Sequence, residues 1–181
     1  MFVFRTGASA VAACAALLFA PSAFSHISFE TQQAPVGSSY KAVLQVPHGC
    51  QGSATVKLRI QIPEGVLGVK PQPKAGWDLK VVKGDYSKSY DLYGSKITSG
   101  VTEVEWTGGP LPDDFYDEFV FKGYLSSSLK PGTTLYFPVI QECEKGVDRW
   151  IDIPEGAEKA HGHGGHSDTP APGLKLLPKA R

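Results

Sequence analysis

Sulfur is scarce in this 181-residue chain: methionine occurs once, as Met1, and cysteine three times, at positions 14, 50 and 143. With no internal methionine, a thioether-rich Cu(I) site is excluded. Charge of either sign is also lacking in excess, since 18 Lys and Arg balance 18 Asp and Glu. That balance gives no field to draw nucleic acid or an anionic membrane surface. The longest apolar stretch, Ala8–Ala20, covers 13 residues, short of the roughly 20 needed to span a bilayer as a helix. No segment carries a 3.6-residue apolar period over helical length, and no internal repeat is visible. Nucleophile–base motifs, phosphate loops and paired-carboxylate spacings are absent too, so neither a hydrolase nor a phosphoryl-transfer enzyme is expected.

What the chain does have begins with a secretory signal over residues 1–25. Arg5 precedes the apolar run, Pro21 and Ser22 break it, and Ala23-Phe24-Ser25 forms a small-x-small cleavage site. A competing lipoprotein site at Cys14 would leave only Thr6–Ala10 as the apolar segment before the cut. Cleavage after Ser25 makes His26 the first residue of a periplasmic or secreted chain. The remaining 156 residues carry 17 Lys and Arg against 18 Asp and Glu, a formal charge of −1, and suffice for one domain with its own core. Cys50 and Cys143 then form an even pair in an oxidising compartment, for which a disulfide is the default and a thiolate metal site the alternative.

Short stretches with strand patterning follow at near-regular spacing. Ala54–Ile62 alternates strictly, with Ala54, Val56, Leu58, Ile60 and Ile62 on one face. Further candidates are His26–Phe29, Tyr40–Val46, Val66–Val69, Trp77–Val82, Ser87–Tyr93, Val101–Trp106, Glu118–Leu125, Thr134–Gln141 and Asp148–Ile153. Glycine and proline separate them, with Gly108-Gly109-Pro110 expected to end the strand at Trp106. The pattern predicts an all-β antiparallel sandwich over 26–154, immunoglobulin-like or cupredoxin-like. Residues 155–181, rich in Gly, Ala, Pro and Lys, read as a disordered tail containing His161, His163 and His166.

Three places carry chemistry. An N-terminal His26 would offer its α-amine and ring Nδ1 to one metal ion, and such nitrogen ligands suit Cu(II) best among the divalent first-row ions. The cluster His161, His163 and His166 would bind Cu(II), Ni(II) or Zn(II) loosely from a solvated segment. In the acidic-aromatic run Asp113–Phe119, the carboxylate at the strand start is placed to reach a neighbouring metal. His48, beside Cys50, reads as a polar turn residue.

Taken in order, His26–Glu30, Gln33–Tyr40, Val46–Cys50, Ile62–Val66, Gly76-Trp77, Phe115–Phe121 and Arg149-Trp150 resemble the YcnI-like family of exported copper-binding domains. The resemblance spans nearly all of 26–153 and implies a β-sandwich holding Cu(II) through a mono-histidine brace. It implies His26 as the brace, a carboxylate assigned to Glu118 with Asp117 and Glu30 as weaker candidates, and Trp150 beside the metal. An indole has no nitrogen lone pair to donate, so Trp150 would pack over the site, shield it or exchange electrons. The cysteine pair and the histidine tail are additions to that minimal site.

These readings point to an exported Cu(II)-binding protein of copper homeostasis or a copper chaperone, not an enzyme. Its expected partners are copper and other periplasmic or membrane copper-handling proteins. A brace-type copper oxidase or oxygenase is the first rival; it would need a second imidazole, for which only His48 is available within the domain. A metal-free interaction sandwich is the second.

Overall fold

The computed structural model describes residues 26–154 and 169–180; the expected signal at 1–25 and the three tail histidines lie outside them. Twelve strands form three sheets among the described residues. In chain order they are β1 (Ser28–Phe29), β2 (Gln33–Pro35), β3 (Ser38–Val46), β4 (Thr55–Gln61), β5 (Val66–Pro71) and β6 (Asp78–Leu92). Then come β7 (Ser95–Leu111), β8 (Asp117–Leu125), β9 (Thr134–Tyr136), β10 (Val139–Cys143), β11 (Val147–Trp150) and β12 (Gly173–Leu177). One sheet runs β1-β3-β8-β5, a second β11-β10-β4-β7-β6, and a small third β2-β12-β9. The expected all-β sandwich forms, with one departure from antiparallel pairing: β12 lies parallel to β2.

Alternation fixes which face of each strand goes inward. In β8, Phe119, Phe121 and Leu125 are buried, and in β4 Leu58 and Ile60 are fully so. The strict alternation expected over Ala54–Ile62 holds only from Leu58 onward. A register shift between Thr55 and Lys57 makes a bulge, so Thr55 is the buried residue there and Val56 is not. Two aromatic groups anchor the core: Phe29 packs on Phe137 at 4.9 Å, and Phe119 sits between Trp77 at 5.0 Å and Trp106 at 5.5 Å.

Gly108 and Gly109 do not end a strand as expected; β7 passes through them to Leu111. Their role is steric. A Cβ on Gly109 would stand 2.0 Å from the Trp77 ring, and Gly108 has φ +93°. The two segments read as separate strands at Trp77–Val82 and Ser87–Tyr93 are one long β6, joined to β7 by the two-residue turn Tyr93-Gly94 with both φ positive.

The expectation of a structureless tail over 155–181 is corrected at its far end. Leu174 and Leu176 alternate inward and are fully buried, and β12 pairs with both β2 and β9. Two apolar residues at period two sufficed for a strand that the Gly, Ala, Pro and Lys around them concealed. The crossing that brings the chain back is tied where Asp152 N–H donates to Thr169 O at 3.1 Å and Ala171 N–H to Asp152 O at 2.9 Å.

Candidate metal centre

At one end of the sandwich three segments converge. The first is the lead into β1, an edge strand whose Ser28 pairs with Gln45 and whose Phe29 pairs with Leu44 of β3. Phe29 and Ile27 point into the core, while His26 and Ser28 are half-buried. The second is Pro47-His48-Gly49, which follows β3. It is held by the Cys50–Ser53 turn, in which Gln51 and Gly52 take positive φ. A Cβ on Gly49 would lie 1.9 Å from Ser53 O, so only glycine fits. The third is Trp150 at the end of β11, opposite Val139 of β10.

Trp150 brings the other two together. Its indole receives the His26 imidazole edge-on at 5.7 Å between ring centroids, and that of His48 at 6.2 Å. The indole is itself pinned from below. Trp150 Nε1–H donates to Gln141 Oε1 at 2.9 Å, and Gln141 Nε2 donates to His48 O at 2.7 Å and to Thr55 Oγ1 at 2.8 Å. Gln141 and Thr55 are fully buried, so this polar network is shielded from water and its geometry is fixed. Cys50 and Cys143 are bridged, with Cα atoms 6.0 Å apart, which fastens the His48 turn to the end of β10.

The carboxylates sit differently. Glu118 pairs with Gln45, which in turn pairs with Ser28, so one row across the outer face of the sheet joins the His26 segment to Glu118 through β3. The backbone carbonyl of Glu118 accepts from Lys74 Nζ at 3.1 Å. Asp117 is ion-paired to Lys74 at 2.7 Å and accepts the Glu118 N–H. Glu30 is exposed past the end of β1. Among the described residues no three His, Cys, Asp or Glu side chains gather at one point. The structure thus places His26 beside Trp150, and Glu118 on the row that runs through Gln45 to Ser28.

One contributor escaped the sequence reading: Gln141 was only a position in a strand. The contact of the His48 ring with Trp150 adds to its reading as a turn residue. A signal for Gln141 existed: it occupies the inward phase between Val139 and Cys143, where a polar side chain must find partners.

A crystal structure of an uncharacterized protein from Nocardia farcinica, described as revealing an immunoglobulin-like fold, matches with a TM-score of 0.60 at 23% identity, covering 84% of this chain and 98% of that one. The likeness shows the fold: this sandwich is immunoglobulin-like. No curated protein matches the chain. The model of a domain of unknown function, DUF1775, matches residues 26–176, from the candidate brace histidine into β12, and the chain belongs to that family.

Proposed function

We propose that the mature protein is an exported Cu(II)-binding protein of copper homeostasis that holds copper or passes it on as a chaperone and carries out no catalysis. The YcnI-like reading of the sequence belongs to this proposal. Once cleaved after Ser25, the chain would chelate through the His26 α-amine and Nδ1. Glu118 is the assigned carboxylate, with Glu30 and Asp117 behind it; Asp117 would first have to leave Lys74. Amine, imidazole and carboxylate make a set suited to tetragonal Cu(II).

One observation carries the reading. The His26 ring is seated against Trp150, an indole that is 4% exposed and hydrogen-bonded from below. A chelating residue held this way gives up little freedom when it binds. Copper, when bound, would supply a Lewis-acidic and redox-active centre. The chain's part is to orient the His26 ring and to cover one side of the site with Trp150. Acceptors are expected among periplasmic or membrane copper-handling proteins.

Electron paramagnetic resonance on the mature chain with one Cu(II) equivalent tests this. A tight signal is expected, lost in His26→Ala and in a chain carrying an extra methionine before His26, where the amine becomes an amide. Glu118→Gln should weaken binding, and Trp150→Phe should retain it. Mass analysis finding the exported chain beginning anywhere but His26 would overturn the proposal.

A further inference from the structure

The outer face of the β1-β3-β8-β5 sheet carries three lysines in one row. Lys41 of β3 stands directly opposite Lys122 of β8, and Lys122 directly opposite Lys70 of β5. All three are exposed, and among the described residues none of them forms an ion pair. The rows on either side supply no carboxylate. One brings together Ser39, Tyr124 and Leu67, the other Val43 and Val120. Like charges facing each other across a strand pair destabilise it, and nothing among the described residues offsets this row.

A second unfavourable feature falls at the same place. The tip of the β6–β7 hairpin reaches over this face and packs on the bulge of β5, where a Cβ on Gly68 would meet Leu92 at 3.2 Å. Tyr93 at that tip has φ +52°, a conformation that bulky side chains avoid and that asparagine takes more readily. Burial does not compensate for it. The Tyr93 ring is 76% exposed, tilted against Tyr124 at 5.1 Å, with its hydroxyl 3.4 Å from Ser39 Oγ. Between tip and sheet lies a cavity of about 410 Å³, lined by Ser39, Lys70, Tyr93, Lys122 and Tyr124. Its volume is that of a small-molecule site, and strained residues of this kind gather where a ligand is held.

The lining selects the ligand. Lys70 and Lys122, with Lys41 one strand further, call for negative charge repeated along a line. Adjacent strands lie about 4.8 Å apart, so the row spans roughly 10 Å. The hydroxyls of Ser39, Tyr93 and Tyr124 both donate and accept, as sugar hydroxyls do. The exposed phenol ring offers a flat face to the C–H side of a pyranose. On a chain with no net charge, a long polyanion held through phosphates alone would gain little beyond this row.

We propose that this cavity binds an anionic oligosaccharide, its carboxylate or sulfate groups lying along Lys41, Lys122 and Lys70 and one of its rings packing on Tyr93. The site uses none of the residues of the proposed copper site, so either can fail alone.

The test is calorimetry on the copper-free mature protein at low ionic strength, with trigalacturonate, a heparin-derived tetrasaccharide, neutral maltotriose and a single-stranded oligothymidylate as probes. At least one acidic sugar is expected to bind, more weakly as salt is raised, and at least about tenfold more tightly than maltotriose. Binding of trigalacturonate alone marks a carboxylate site, and of the heparin fragment alone a sulfate site. Lys122→Glu gives Lys41 and Lys70 a partner, so it should raise the melting temperature while abolishing binding. Tyr93→Asn suits the turn better, so it should also raise the melting temperature while lowering affinity about tenfold or more. The gain in melting temperature makes the lost binding a report on the site and not on the fold. No heat with either acidic sugar, equal or tighter binding of maltotriose or oligothymidylate, or undiminished binding in either variant overturns the proposal.

Discussion

Replacing Gln141 by leucine would strip partners from three groups at once: the Trp150 indole N–H, the Thr55 hydroxyl and the His48 carbonyl. Each buried polar group left unpaired costs about 1–3 kcal/mol, reduced where one finds a substitute partner. Gln141→Leu is therefore expected to lower stability by about 2–4 kcal/mol in denaturant titration and to shift Trp150 fluorescence, although the residue touches no metal. Single positions also show how far the sequence could be read. Cys50 and Cys143 were legible because the two thiols that follow the expected signal have one pairing. The His26–Trp150 contact was legible only through a family resemblance, since no local pattern links positions 124 residues apart. His48 reads as a polar turn residue and lies in the Pro47-His48-Gly49 link after β3; the packing of its ring on Trp150 had no local signal.

Strands were legible where alternation is long, as in β4, and their limits were not. Steric detail across the sheet decided those: the bulge at Thr55 turned the expected face of β4, and the Trp77 ring lying over Gly109 allowed β7 to continue through a glycine pair. A further irregularity separates Asp85 from Tyr90 in β6. It is pinned from the turn after β4 by Glu64, whose Oε1 accepts from Ser87 N–H at 2.9 Å, Ser87 Oγ at 2.8 Å and Tyr90 OH at 2.9 Å. The Ser87 hydroxyl holds the Glu64 carboxyl below its usual range, and burial, with the Glu64 hydrogen bond, pushes Tyr90 up to about 12. A depressed acid pKa stabilises the fold above the ordinary carboxylate pKa, and the effect is lost as pH falls through the lowered value. A raised phenol pKa stabilises it below the ordinary value of 10, and the effect is lost as pH rises through about 12. The hydrogen-exchange protection factor of Ser87 should therefore fall as the pH is lowered below 4.5, and Glu64→Gln should abolish that dependence.

Over the whole molecule the all-β class and the sandwich were legible, because short alternating segments between glycines and prolines have few other ways to bury an apolar face. The extent of the domain was not. Composition placed its end at residue 154, whereas Leu174 and Leu176 return to the core and the small third sheet needs them. Removing residues 157–181 to test the His161, His163 and His166 cluster would thus remove a structural strand as well. Each buried leucine is worth about 1.5–3 kcal/mol of transfer free energy. Substituting those three histidines at constant length is the cleaner test, and is expected to leave one tight Cu(II) equivalent by calorimetry and to remove weaker ones.

The tie at Asp152 and the seat of β12 have a consequence for how the chain can be divided. β12 hydrogen-bonds on both sides, parallel to β2 and antiparallel to β9, and the disulfide that closes Cys50 to Cys143 does not reach it. A chain stopping at residue 156 would expose two open strand edges around an apolar slot, a template for strand addition. A synthetic peptide of residues 169–181 should fill that slot, raising the melting temperature of the shortened chain in proportion to occupancy. A peptide with Leu174 and Leu176 replaced by serine should not. The same vacancy would accept β12 from a neighbouring molecule, so a mixture of shortened and full chains is the place to look for exchanged dimers.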